Sequence, residues 1–172
     1  MRRLALVLVT VSAVGLIPSH VVVAGPDCTI TGTSGDDDLR GTSGHDVICG
    51  LGGADLLRGL GGNDVLFGGP GPDVLSGHRG ADHLVGGAAG DVMEGNLGGD
   101  LLEGGVGRDY LFGGKGADLM RAGRGNDGCL NGVDQHANDS LFGGTGTDRF
   151  DADRGDALSS VETRTFKCLE GE

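Results

Sequence analysis

Residues 50–76 read GLGGADLLR, GLGGNDVLF and GGPGPDVLS, three blocks of nine in one frame. Extended in both directions, the frame holds without an insertion from Gly32 to Leu130, through 11 consecutive blocks. The sixth place is aspartate every time: Asp37, Asp46, Asp55, Asp64, Asp73, Asp82, Asp91, Asp100, Asp109, Asp118 and Asp127. The fourth is glycine except at Ala89. The eighth is apolar, running Leu39, Ile48, Leu57, Leu66, Leu75, Leu84, Met93, Leu102, Leu111, Met120 and Cys129. Asn131 to Val133 interrupt the frame, which resumes as DQHANDSLF and GGTGTDRFD with Asp139 and Asp148 in sixth place.

Each place has a physical reason. Glycine in the first, often the second, and the fourth place admits left-handed backbone, so the chain turns tightly and its carbonyls point inward. The three residues after the aspartate read x–apolar–x, a minimal strand with one side chain in and two out. Turn plus strand is half a coil. Two blocks should therefore complete one turn of a flattened right-handed spiral, with parallel strands stacked about 4.8 Å apart. Aspartates of alternate blocks then line one edge, where they repel one another unless a cation lies between them. Carbonyl and carboxylate oxygens are the ligands Ca²⁺ takes, so folding and metal binding are expected to be one event.

The blocks resemble the repeats-in-toxin (RTX) nonapeptide GGxGxDx-apolar-x, a calcium-binding β-helix repeat. The resemblance covers residues 32–130 closely and 134–151 loosely. It implies an all-β fold, a right-handed parallel β-roll (a β-solenoid) with two repeats per coil. It also implies Ca²⁺ between loops two repeats apart, held by the sixth-place aspartates and loop carbonyls. The pairs would run from Asp37 with Asp55 and Asp46 with Asp64 to Asp109 with Asp127, giving up to about nine ions. Some residues depart from the pattern. Ala89 should strain its loop and weaken the calcium there. In the eleventh block Ala122 replaces the first glycine, Gly128 weakens the strand and Cys129 takes the inward place, so regular sites are expected to end at Asp127. Residues 25–31 and 152–172 would cap the two ends, the latter through Leu158, Val161 and Phe166 together with Phe150. Residues 131–151 hold the insertion and degenerate repeats between.

The start of the chain follows another logic. Arg2 and Arg3, the apolar run 4–17, Pro18 and then Val22-Val23-Ala24 read as a secretory signal peptide over residues 1–24. The apolar run is shorter than the roughly 20 residues needed to span a bilayer, and no other segment is a candidate. Losing Arg2 and Arg3 would move the net charge from −12 to −14, which argues against nucleic acid and anionic membranes as partners. Cys28, Cys49, Cys129 and Cys168 form an even set in an exported chain and allow three pairings. Two flank the start of the blocks and two the end, which favours Cys28–Cys49 and Cys129–Cys168.

Catalytic signals are missing. His45, His78, His83 and His136 lack HExxH spacing, no zinc-type cysteine cluster exists, and Ser76, Ser140, Ser159 and Ser160 sit in no GxSxG elbow. Asn138-Asp139-Ser140 matches a glycosylation sequon. The expected function is that of a secreted, non-enzymatic calcium-binding module at or outside the cell surface. It would act by structure or through a cell-envelope or extracellular protein or glycan. The alternative is an accessory or tail module of an extracellular hydrolase or secretion system, as rolls of the resembling family often are. The short stretch between residue 24 and the first block leaves little room for a catalytic domain on that side.

Overall fold

The computed structural model describes residues 27–132, 139–151 and 156–159. The leader read at 1–24, His136, Asn138, Cys168 and most of the expected C-terminal cap lie outside the described residues. Strands are the only regular elements among those described. In chain order they are β1 (Ile30–Thr31), β2 (Asp38–Arg40), β3 (Val47–Cys49), β4 (Leu56–Arg58), β5 (Val65–Pro70), β6 (Val74–Arg79), β7 (His83–Ala88) and β8 (Val92–Leu97). They continue as β9 (Leu101–Val106), β10 (Tyr110–Lys115), β11 (Leu119–Arg124), β12 (Cys129–Asn131), β13 (Ser140–Thr145), β14 (Phe150–Asp151) and β15 (Ala157–Ser159).

Each strand pairs in parallel with the strand two further on and not with its neighbour in sequence. The odd-numbered strands form an eight-stranded sheet and the even-numbered ones a seven-stranded sheet. Parallel neighbours cannot be joined by a hairpin. The chain instead crosses to the opposite sheet and returns, one block per crossing. Val47, Val65, His83, Leu101 and Leu119 accordingly share one row, two blocks apart at each step. This is the parallel β-roll of two repeats per coil that the periodicity predicts.

The core is a double file. Ile48, Leu66, Leu84, Leu102, Met120 and Leu141 enter from one sheet and Leu57, Leu75, Met93, Leu111 and Leu130 from the other, all fully buried. Ile30, Leu39 and Leu158 close the ends as partly buried neighbours of that file. Burying one such side chain contributes about 1.5–3 kcal/mol, whereas fixing the backbone of a residue costs about 1–2 kcal/mol. With one inward side chain per nine residues, the file cannot hold the coil on its own.

The eleventh block departs from expectation. Tyr110 pairs with Cys129 and Leu111 with Leu130, so Leu130, not Cys129, takes the inward place. Gly128 is one extra residue. A side chain there would run into the Tyr110 ring, and the bare Cα lets that ring lie on the backbone while the strand slips by one. Cys129 thus falls in an outward row, although it is buried and disulfide-bonded. Its expected partner, Cys168, lies outside the described residues. Cys28 and Cys49 are bonded to each other with Cα atoms 6.0 Å apart. The roll also continues past Leu130: β13 pairs with β11 along its whole length and β15 with β13.

Candidate metal centre

Each sixth-place aspartate sits where a loop becomes a strand, and the coil stacks these residues in two files. Asp37, Asp55, Asp73, Asp91, Asp109 and Asp127 follow one edge, and Asp46, Asp64, Asp82, Asp100 and Asp118 the other. Within a file each carboxylate ties its coil to the one before. Asp55 Oδ1 accepts the Asp37 N–H at 2.9 Å, Asp73 Oδ1 the Asp55 N–H at 2.9 Å, and Asp91 Oδ1 the Asp73 N–H at 2.9 Å. On the other edge Asp64 serves Asp46 at 2.8 Å and Asp100 serves Asp82 at 2.8 Å. From Asp46 to Asp127 every one of these aspartates is buried, Asp91 and Asp109 completely.

The second carboxylate oxygen has no such arrangement. Oδ2 of Asp55, Asp64, Asp73, Asp82, Asp91, Asp100, Asp109 and Asp127 is buried with no hydrogen-bond partner. From Asp55 to Asp109 it lies over the bare Cα of the first-place glycine of its own block: a methyl on Gly59, Gly68, Gly77, Gly86 or Gly95 would strike it. Carbonyl oxygens approach the same points from the next coil. Gly86 O would lie 2.7 Å from a Cβ on Gly68, and Gly104 O 2.8 Å from one on Gly86. Each of these blocks therefore brings one orphaned carboxylate oxygen to a place that its glycine leaves open, and at Gly68 and Gly86 a carbonyl oxygen of the next coil arrives there too. An isolated buried carboxylate is costly, and such groups are paired, protonated or bound to metal.

The titration behaviour expresses that cost. Burial pushes Asp91 and Asp100 up to about 7, with the neighbouring carboxylates of each file adding to the rise and the donated backbone N–H opposing it. Asp127 rises to about 6 for the same first reason. Asp64, Asp73, Asp82 and Asp109 are also raised, burial again leading.

Among the described residues no three carboxylate, imidazole or thiolate groups converge on one point. A metal here would have to take carboxylates from different coils and complete its shell with backbone carbonyls. That donor set fits Ca²⁺ and not Zn²⁺, which takes nitrogen and sulfur. Of the histidines, His45 Nδ1 contacts the Asn63 carbonyl and His83 pairs with Glu103 at 3.1 Å, while His45 and His78 lie near enough to Asp64 and Asp82 to oppose the rise of those carboxylates.

Two features escape a reading by period alone. The files do not stop at Asp127. Asp139 accepts the Asp118 N–H at 2.8 Å, Asp148 the Asp127 N–H at 3.0 Å and Asp156 the Asp139 N–H at 3.1 Å. Gly132 makes this possible, because its bare Cα faces Asp139 as the first-place glycines face theirs. A second acceptor file runs at the fifth place, where side-chain oxygens of Asp36, Asn63 and Asn126 accept the N–H of Ala54, Ala81 and Thr147 from the following coil. Ala89, the single alanine in the fourth place, adopts φ 95°, the left-handed strain its position foretells.

A search of curated proteins finds no match to the chain. The family model of the RTX calcium-binding nonapeptide repeat matches it in four copies, over residues 29–57, 58–93, 94–129 and 137–157. With most of its length matched, and with loops whose bare oxygens suit a hard cation, the chain belongs to the RTX calcium-binding nonapeptide repeat family.

Proposed function

We propose that the protein is a secreted, non-enzymatic module in which Ca²⁺ joins successive coils. Its ligands would be the sixth-place aspartates at 37, 46, 55, 64, 73, 82, 91, 100, 109, 118 and 127, with loop carbonyls completing each shell. The observation that carries this is the row of buried, unpartnered Oδ2 atoms beside carbonyl oxygens of the next coil. A divalent cation between coils turns the repulsion within each file into ligation, and folding then follows metal. About nine ions fit the pairing of 11 loops at a spacing of two. Asp139 and Asp148 extend the candidate ligands by two.

Export is supported by the leader-like start of the sequence and by the two-disulfide reading of the cysteines, one bond of which is formed between Cys28 and Cys49. No helix among the described residues is long and apolar enough to cross a membrane. A role in building structure, or in contact with an envelope component, is supported by the chemistry of the site: every candidate ligand is used up in joining coils. Far-ultraviolet circular dichroism tests the reading. The chain in EDTA should be largely disordered and should gain β structure cooperatively in millimolar Ca²⁺; a spectrum indifferent to Ca²⁺ overturns it. A hydrolase panel on the purified protein tests the alternative of a hydrolase-associated module.

A further inference from the structure

The loops are of two kinds, and the second-place residue separates them. From the third block onward that residue is left-handed: φ is 79° at Leu51, 77° at Leu60, 113° at Gly69 and 74° at His78. In the first two blocks the place is taken by Thr33 and Thr42. Neither threonine is left-handed, nor are the fourth-place glycines Gly35 and Gly44, whose counterparts Gly53, Gly62 and Gly71 are.

The difference decides the fate of Oδ2. Thr33 donates to Asp37 Oδ2 twice, from its N–H at 2.6 Å and from its hydroxyl at 3.0 Å. Thr42 does the same for Asp46 Oδ2, at 2.7 and 2.9 Å. Each hydroxyl is fixed in turn by an N–H, from Gly35 at 3.2 Å and from Gly44 at 3.1 Å. The lone pairs of these two carboxylate oxygens are thus taken, and two hydrogens occupy the space a cation would need. Solvent does not explain the contrast. Asp46 is only 7 % exposed and satisfied, whereas Asp55 is 2 % exposed and orphaned. The Cys28–Cys49 disulfide brackets both threonine loops, and β1 pairs with β3 inside the bracket.

We propose that Thr33 and Thr42 stand in for calcium at Asp37 and Asp46, so that residues 28–49 form a metal-independent coil on which the metal-dependent coils from Asp55 onward assemble. The inference rests on the calcium reading of the later aspartates and narrows it. The first coil presents the acceptors and donors of a finished layer: Asp37 N–H already reaches Asp55 Oδ1 and Asp46 N–H reaches Asp64 Oδ1.

Hydrogen exchange read by mass spectrometry on the full, oxidised chain tests this, with and without Ca²⁺. In EDTA, residues 29–49 should exchange at least about tenfold more slowly than residues 60–120, which should gain protection only with Ca²⁺. Residues 29–49 exchanging as fast as the rest in EDTA, while Ca²⁺ protects the later coils, overturns the proposal and leaves the calcium reading standing. Equal protection of all segments with and without Ca²⁺ overturns both. The double variant Thr33→Gly/Thr42→Gly supplies a second readout. It should lose the EDTA protection and bind about two more Ca²⁺ per chain in equilibrium dialysis, while Thr33→Ser/Thr42→Ser keeps the wild-type values. An unchanged ion count in the glycine variant also overturns the proposal.

Discussion

Asp91 shows what one residue must do in this fold. It is fully buried, it holds the Asp73 N–H with Oδ1, and its Oδ2 has no partner. Asparagine in its place keeps the first function and loses the charge. Asp91→Asn should therefore act in opposite directions in two buffers. In EDTA it should stabilise residual folded structure, by about 1–3 kcal/mol, because an uncompensated buried charge is gone. In saturating Ca²⁺ it should destabilise by a similar amount, because a ligand is gone. The folded fraction by circular dichroism in EDTA and a denaturant titration in Ca²⁺ check the sign, and a change of the same sign in both would remove Asp91 from the ligand set. Strain at single residues makes a second case. Ala89 sits at φ 95°, and the counterparts in the loops two blocks away on either side, Gly71 and Gly107, have φ 127° and 149°. Its methyl cannot follow the glycine path, and Ala89 is left exposed where Gly71 and Gly107 are half-buried. Ala89→Gly should raise the stability of the calcium form by about 1 kcal/mol, seen as a higher melting temperature with no change in the number of ions.

At the scale of the elements, the fourth-place glycines set the spacing between coils. Gly98 has φ 146°, and a methyl on it would collide with the Gly80 carbonyl of the preceding coil. Gly98→Ala combines a left-handed penalty with a backbone clash, so a loss of roughly 2–4 kcal/mol is expected. It should also lower calcium affinity, because the loops of two coils are pushed apart; calorimetric titration with Ca²⁺ measures that directly. Most of this element logic was legible in the sequence. The invariant aspartate, the eighth-place file and the fourth-place glycine together dictate parallel strands, two blocks to a coil, with acids on both edges. The slip at Gly128 was not legible. Counting in nines puts Cys129 inward, and only the Tyr110 ring lying on a bare Cα shows that the strand has moved by one. Asp139 and Asp148 were obscured for a related reason. The resumed block DQHANDSLF carries alanine, Ala137, where the pattern has its fourth-place glycine, whereas the residue that matters to Asp139 is Gly132, which lies outside the nine-residue frame altogether. The threonines were visible as letters, but their effect depends on a loop conformation that period alone does not specify.

At the scale of the molecule, the carboxylates raised from Asp64 to Asp109 and at Asp127 set protons in competition with the proposed calcium. In the metal-free roll the folded values of Asp91 and Asp100 stand at about 7 and that of Asp127 at about 6, against 3.8 for an ordinary aspartate. A group raised on folding contributes stability that is complete below its unfolded value and disappears as pH rises through the folded one. Without metal the roll should therefore be more stable near pH 4–5 than near pH 8, losing that stability mainly between about pH 4 and 7. Calcium held as proposed should reverse the order, since Ca²⁺ takes deprotonated carboxylates and must displace whatever protons they hold. To the extent that the metal-free roll forms, its affinity should climb as pH rises towards 7 and level off above it, and binding to that folded form at pH 6 should release protons that binding at pH 8 does not. Far-ultraviolet circular dichroism in EDTA and thermal melts in Ca²⁺, each at pH 5 and pH 8, give two orderings that decide the matter. The metal-free chain should hold more β structure at pH 5, and the calcium-loaded chain should melt higher at pH 8. The same ordering in both buffers would mean that the buried aspartates, for all their number, are not where calcium and protons compete.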